Sequence, residues 1–446
     1  MKSRRYLNRQ SKEWIFLTTG PLHLFWTAGV YYLFELNKRA RILLIVDKSY
    51  FCDPNFERAI EFLKTVEVFV VPDGFVSRQK AYLTDFRRLI ETYRPAIIFH
   101  HDSVYASMMY LHHWARQLAP RAIRISYLNG MTSLASFEEM AKPVLAFEIN
   151  AIANKRHIPL WLAGLVHQAG ALLRFNLEYR LLPWLLIRWN FRAPLNVYNF
   201  APTGNSWVSH FDYFLVSDEL DKASIRRIFG SERGVLSLRH PLETVGSEFI
   251  DTFYQCVERN VICVFPSYGH IDKLKIERNL TDEAIVTMLS NTWADLILAL
   301  TEKFPEFELK WKLHPMQVND SIWLRVQECI KERFPQCVVV HPSESAQALI
   351  NGSNVVVGEV SSVLWWASHF ESKVAISVDL FGLDSMDEMK HREGMLYFNS
   401  LDEFRTRPAS EFAGHAVHHQ GRNRQKASLT EFLSQLLPQV EQSVKE

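Results

Sequence analysis

Short, continuously apolar runs alternate with helix-length amphipathic stretches along most of this chain. The runs Trp14–Thr18, Arg41–Val46, Val66–Val71, Ala96–Phe99 and Ile123–Leu128 are rich in β-branched and aromatic residues. Continuous apolarity, rather than strict alternation, marks strands buried on both faces, as in a parallel sheet covered by helices. The stretches Leu22–Leu36, Asn55–Thr65 and Gln79–Glu91 have the helical period, and Phe211–Ser217 reads as one further strand. A second series starts at Val261–Pro266. It continues with a helix over Glu283–Lys303, a strand over Glu308–Leu313 and a helix over Ser321–Arg333. Strands over Cys337–His341, Asn354–Val357 and Lys373–Ser377 follow. Two such series in tandem predict an α/β chain of two Rossmann-like domains facing a cleft, 1–250 and 251–446. Open parallel sheets bind ligands beyond the carboxyl ends of their strands, so residues just after strands become the candidates.

Composition narrows the class. Over 446 residues, 22% charged and 48% hydrophobic content are those of a folded globular chain. A net charge of +1 gives no basis for nucleic acid as a partner. The five cysteines are scattered with no C-x-x-C pair, which fits a reducing cytosol and indicates neither a zinc knuckle nor a disulfide framework. Near the N-terminus an apolar stretch follows MKSRR, but Thr18, Thr19, Gly20, Pro21 and His23 break it before the ~20 residues a span requires. It reads as a strand, a loop and a helix.

One segment departs from this grammar. Pro159–Leu195 carries Arg174, Arg180, Arg188 and Arg192 against the single acid Glu178, with three tryptophans among leucines. Basic residues with Trp and Leu suit an anionic membrane interface, and the same composition suits a buried helical pair or an oligomer contact. Arg and Pro interrupt every window long enough to cross a bilayer.

The common nucleotide fingerprints are absent: there is no G-x-x-x-x-G-K-[ST] and no G-x-G-x-x-G after the first strand. His415, His418 and His419 lie in a polar stretch that reads as a loop rather than a metal site. Three His-Pro pairs stand out, at His240, His314 and His341. His240 falls near the domain junction and reads as structural. His341 ends a predicted strand and opens the segment leading to Ser361-Ser362. His314 ends another predicted strand two residues after Lys312, and Pro315 restricts it to extended backbone. The run NVVVGEVSSVLWWA predicts strand, turn and helix, with Ser361 and Ser362 at the helix start, where unpaired amides favour an anion. A helix cap by one of the two serines is the competing reading.

K-x-H-P after a strand, then an S-S turn in a second α/β domain, resembles the GT-B glycosyltransferases that use cytidine-nucleotide donors. The motifs are similar to those of bacterial sialyltransferases and capsule polysialyltransferases. Teichoic-acid type CDP-glycerol polymerases and Kdo transferases have similar ends. The resemblance is at motif level over roughly 260–380 and architectural elsewhere. It implies a metal-independent, inverting transferase with no cofactor, moving sialic acid from a CMP-sugar donor to a glycan acceptor. Such an enzyme is expected in the cytoplasm, on the inner face of the cell membrane, with 159–195 against the lipid. By the same resemblance His314 contacts the donor phosphate and assists departure of CMP, and Ser361 and Ser362 bind the same phosphate. Lys312, Pro315, His341 and Glu359, close to them in the sequence pattern, are the further donor-site candidates. The acidic D/E-D/E-G motif of those sialyltransferases is not matched: the corresponding strand end reads YLNGMTS, with Asn129 where the general base is expected. Asparagine cannot take a proton. Asp102, directly after a predicted strand, is the first substitute, with Glu138 and Glu139 next, and Asp102 equally suits a helix cap. A nucleotide-sugar epimerase on the same fold is the alternative enzyme.

Overall fold

In the computed structural model the described residues are 14–18, 41–47, 67–71, 80–101, 115–127, 149–179, 211–217, 219–229, 234–240, 260–267, 278, 280–314, 317–341, 344–370, 373–382, 390–392, 394–412 and 426–436. They fold as two compact units. The first takes the described residues up to Leu238 and those from Ser428 onward, and the second takes Arg239 to Ala427. The sequence reading placed this division at 250/251 and assigned the C-terminal residues to the second domain.

The first unit holds seven strands: β1 (Trp14–Thr18), β2 (Arg41–Asp47), β3 (Glu67–Val71), β4 (Ile97–His101), β5 (Ile123–Tyr127), β6 (Tyr213–Val216) and β7 (Val235–Ser237). All pair in parallel, in the order β3-β2-β1-β4-β5-β6-β7. Helices α1 (Lys80–Tyr93), α2 (Leu160–Tyr179) and α3 (Glu219–Phe229) belong to the same unit. Polar ties fix the register where the apolar core alone would allow slippage. The Arg124 guanidinium grips Asp212 at 2.9 and 3.1 Å, joining β5 to the entry of β6. Deeper in the sheet the Tyr127 and Ser217 hydroxyls meet at 2.8 Å.

The second unit repeats the design with β8 (Val261–Phe265), β9 (Glu308–Trp311), β10 (Val338–Val339), β11 (Val355–Gly358), β12 (Val374–Val378) and β13 (Met395–Phe398). These too are all parallel, in the order β10-β9-β8-β11-β12-β13. Every residue of β8 and β12 is buried, as continuous apolar runs require when helices cover both faces. The helices are α4 (Asp282–Lys303), α5 (Ser321–Arg333), α6 (Ala346–Gly352), α7 (Ser362–Ala367) and α8 (Leu401–Thr406).

Helix α4 is long and apolar enough to cross a membrane by composition, but ten of its residues are buried in the core of the second unit, so it is a core helix. Among them Trp293 packs edge-on to Trp311 of β9 at 5.4 Å. Each such burial is worth roughly 1.5–3 kcal/mol, which outweighs α4's weak separation of polar and apolar faces. Side-chain caps set the helix starts. Thr281 accepts from the Ala284 amide at 3.3 Å, and Asp320 accepts from the Ile322 and Trp323 amides at 2.9 and 3.2 Å. Each cap contributes ~1 kcal/mol.

Counted from its own first strand, the second sheet runs 3-2-1-4-5-6, the order of a doubly wound nucleotide-binding sheet, and the first has the same order with a seventh strand, β7, added beyond β6. The order reverses between β1 and β4 in the first unit and between β8 and β11 in the second. Those reversal points are where the carboxyl ends of such sheets hold ligands.

Candidate functional site

In the second unit, β8 and β11 are neighbours, yet the sheet continues from β8 toward β9 and from β11 toward β12. Gly358 ends β11 in register with Phe265, the last residue of β8. A Cβ at this position would lie 2.5 Å from the Phe265 carbonyl oxygen, so the two backbones approach only because the residue is glycine.

Beyond that contact the loops following β8, β9 and β11 are tied together. The Ser267 hydroxyl donates to the Val360 carbonyl at 2.8 Å. Gln317, entirely buried, donates from Nε2 to the Ser267 carbonyl at 3.2 Å and accepts at Oε1 from the His314 amide at 2.6 Å. The Gln317 amide closes the turn onto the His314 carbonyl at 2.8 Å. Thus His314 after β9 and the serine turn after β11 are braced through one chain of hydrogen bonds.

Lys312 lies at the same edge, its amide donating to the Val264 carbonyl at 3.0 Å as though β9 continued beside β8. Its side chain is buried, 3% exposed. Burial holds the ammonium pKa below the usual lysine range, and the nearby Glu344 carboxylate partly offsets this. Two residues apart on one continuous strand, Lys312 and His314 would point to the same side. The strand stops at Trp311, however, so alternation no longer dictates direction: Lys312 is buried and His314 exposed. His341, in the loop after β10, is exposed, and its carbonyl accepts from the Glu344 amide at 3.0 Å.

Ser361 is the N-cap of α7, its Oγ accepting from the Val363 amide at 3.3 Å, and Ser362 is the first helical residue. The cap expected as the competing reading is therefore formed, by Ser361. Glu359, between Gly358 and that cap, is 1% exposed. Burial raises its carboxyl pKa well above the ordinary range, repulsion from Asp379 raises it further, and the Leu380 amide opposes both by donating to the carboxylate. The Ser377 hydroxyl donates to the Glu359 carbonyl at 2.7 Å. Asp379, just past β12, accepts from the Gly382 amide at 2.7 Å.

The carboxyl edge of one sheet thus carries a buried ammonium, an exposed imidazole, a serine cap and a carboxyl that favours its protonated form. A cation and several hydrogen-bond donors at a strand reversal suit an anionic group such as a phosphate. Ser267 and Gln317 were not among the residues singled out by sequence. Ser267 directly follows the strand run VICVFP, which is the only signal that marks it, and nothing local marks Gln317.

His240 has a different setting. It is buried, stacked on His369 at 4.0 Å and 7°, and edge-on to Trp365 at 5.0 Å, while the Arg392 guanidinium lies 5.0 Å over that indole. It serves as packing for α7. Pro315, Asp102, Asn129, Glu138, Glu139, His415, His418 and His419 lie outside the described residues, as do 180–195 of the basic segment. Asp102 is the residue after β4, which borders the reversal point of the first sheet. Among the described residues no group of three or more His, Cys, Asp or Glu is placed to hold a metal ion.

No family model matches the sequence, and no curated protein is significantly similar to it. Solved structures do match in fold. The UDP-GlcNAc 2-epimerase from Methanocaldococcus jannaschii aligns at a TM-score of 0.53 and 10% identity, covering 96% of this chain and 100% of that one. A putative UDP-N-acetylglucosamine 2-epimerase from Listeria monocytogenes aligns at 0.56 and 9% identity, covering 97% and 98%. The UDP-GlcNAc 2-epimerase from Neisseria meningitidis, bound to UDP-GlcNAc, aligns at 0.52 and 9%, covering 96% and 100%. At these identities the likeness speaks for architecture alone: the chain consists of two Rossmann-like, parallel-sheet α/β domains with the GT-B fold.

Proposed function

We propose that this protein is a metal-independent, inverting glycosyltransferase that moves sialic acid from a CMP-activated donor to a glycan acceptor in bacterial surface-polysaccharide synthesis. The observation that carries this reading is the grouping of Lys312, the braced His314 and the serine turn at the strand reversal of the second sheet. The second unit binds the donor. Lys312 offsets the phosphate charge, and Ser361 and Ser362 hydrogen-bond the same phosphate, with Glu359 and His341 lining the site and Pro315 holding His314 extended. In the reaction the acceptor hydroxyl oxygen bonds to the anomeric carbon as the bond from that carbon to the CMP oxygen breaks. His314 donates a hydrogen bond or proton to the departing phosphate, where charge develops, so it stabilises the transition state more than the ground state. The first unit binds the acceptor, and Asp102 takes the hydroxyl proton. The enzyme works in the cytoplasm on the inner face of the cell membrane, through the basic segment 159–195.

A second reading has a specific basis: the three fold neighbours above are UDP-GlcNAc 2-epimerases, or in one case a putative one. An epimerase inverts one carbon of a UDP-sugar and needs no acceptor. Kdo or CDP-glycerol transfer would use the same phosphate site with a different donor. One experiment separates sialic acid transfer from epimerisation. The protein is incubated with CMP-sialic acid plus a sialylated oligosaccharide, and separately with UDP-GlcNAc, and products are followed by proton NMR. The proposal predicts CMP release matched by oligosaccharide elongation, falling roughly 10²–10⁴-fold in His314→Ala, the range for loss of a general acid. Conversion of UDP-GlcNAc to its C2 epimer with no elongation would replace it by the second reading.

A further inference from the structure

The described part of the basic segment presents an apolar corner rimmed by cations. Residues 149–156 are helical and end at His157, whose φ of 49° is the left-handed conformation of a helix stop. The Ile158 amide returns to the Ala153 carbonyl at 3.1 Å, closing that stop. Pro159 then opens α2 (Leu160–Tyr179), its carbonyl accepting from the Leu162 and Ala163 amides at 3.0 Å each. Pro has no amide to lose at a helix start, so the break between the two helices is fixed by sequence.

On α2, Ala163 and His167 are buried, and Gly164 lies against Ile149 of the preceding helix, 4.0 Å from a Cβ position. At 100° per residue, Trp161 and Leu165 fall on the side opposite Ala163 and His167. That side is largely exposed: Leu160 is 57% exposed, Trp161 68% and Leu165 59%. Three large apolar side chains on one exposed turn are uncommon on a protein surface without a partner. Along this stretch of chain the charge is of one sign. Lys155 and Arg156, both exposed, end the helix just before the corner, and no Asp or Glu occurs between Glu148 and Glu178.

From this we infer that Leu160, Trp161 and Leu165 insert into an anionic lipid bilayer at headgroup depth while Lys155 and Arg156 pair with lipid phosphates. Tryptophan favours that depth because its ring is apolar and its N–H is polar, and cations there gain from the negative surface potential. The inference deepens the membrane-surface part of the proposed function and is independent of the nucleotide chemistry. It also moves the contact toward residue 155, ahead of the arginines that composition alone points to.

The test uses the full chain in co-sedimentation with vesicles of phosphatidylcholine alone and of phosphatidylcholine with phosphatidylglycerol. Binding is expected to the anionic vesicles and to weaken with added salt. Trp161→Ser with Leu165→Ser should weaken it more than about tenfold, and Lys155→Glu with Arg156→Glu should do so independently. Circular dichroism and the nucleotide-induced thermal shift should stay unchanged in both, since these side chains are exposed and outside the candidate site. A wild-type protein that ignores anionic vesicles, or binds them as well after both double substitutions, overturns the inference. So does a dimer in light scattering that Trp161→Ser dissociates, because the corner would then belong to a second copy of the chain. A failed nucleotide shift with intact vesicle binding would count against the transferase reading and leave this contact standing.

Discussion

Replacing Gln317 by methionine keeps the length and volume of a buried side chain while deleting its two side-chain hydrogen bonds, to the His314 amide and the Ser267 carbonyl. Each such bond contributes about 0.5–1.5 kcal/mol net, so together about 1–3 kcal/mol of stability is at stake. Their loss is not symmetric. His314 is exposed, and its amide regains water, whereas Ser267 is 4% exposed and its carbonyl is left to the protein interior. The second unit should therefore unfold at a urea concentration lower by about 0.3–1.5 M, for an m-value of about 2–3 kcal/mol/M. The functional consequence is larger, because a catalytic group displaced by about 1 Å can cost about 10²-fold in rate. The expected loss in kcat exceeds that in KM, since donor binding still has Lys312 and Ser361. A double-mutant cycle with Ser267→Ala, which removes the link to Val360, should show coupling of about 0.5–3 kcal/mol if the three loops act as one unit. Unchanged stability and kcat in Gln317→Met, or strict additivity with Ser267→Ala, would refute the bracing role.

Two further substitutions probe the same edge. Glu359 has its carboxyl pKa raised by burial and by Asp379, so the native state takes up a proton that the unfolded state has already lost. Its contribution to stability is therefore greatest in acid and declines as pH climbs from the ordinary carboxylate range toward the folded value. Glu359→Gln, which imitates the protonated form, should stabilise the protein at neutral and alkaline pH and change little near pH 4–5, read as Tm against pH; a pH-independent difference would contradict this. Gly358→Ala drives a Cβ into the Phe265 carbonyl, a backbone contact that no rotamer relieves. It should cost about 1–3 kcal/mol by urea denaturation, and a near-neutral result would show that β8 and β11 can part here.

What the sequence made legible follows from how local each signal is. The runs VICVFP and KVAIS mark strands because full burial leaves no polar position, and β8 and β12 fall on them almost residue for residue. Helix α5 begins at Ser321 as read, because Asp320 caps it with its own side chain. The strands β7 and β13 escaped. They are three and four residues long, each following a positive-φ glycine, and their pairing with β6 and β12 reveals them where no periodicity can. At the candidate site, Lys312 and His314 are marked in the sequence by their place at a strand end, and Ser361 by its place at a helix start. The burial of Lys312 and the protonated tendency of Glu359 are not marked there, since both depend on what packs around them. Gln317 and Ser267 act across 50 residues through a side chain that carries no motif.

The account rests on an anion site at the strand reversal of the second sheet, and nucleotide titration calorimetry tests it most directly. The comparison is CMP binding to the wild-type protein and to Lys312→Met, which removes a buried ammonium without shortening the side chain. A charge-assisted contact to phosphate is worth about 1.5–3 kcal/mol, so the substitution should weaken CMP by about 10–150-fold. The unliganded protein should be as stable as before or more so, because an ammonium disfavoured by burial has gone. Equal affinity for CMP in the two proteins, or no binding of CMP by a folded wild type, would contradict the assignment of this edge.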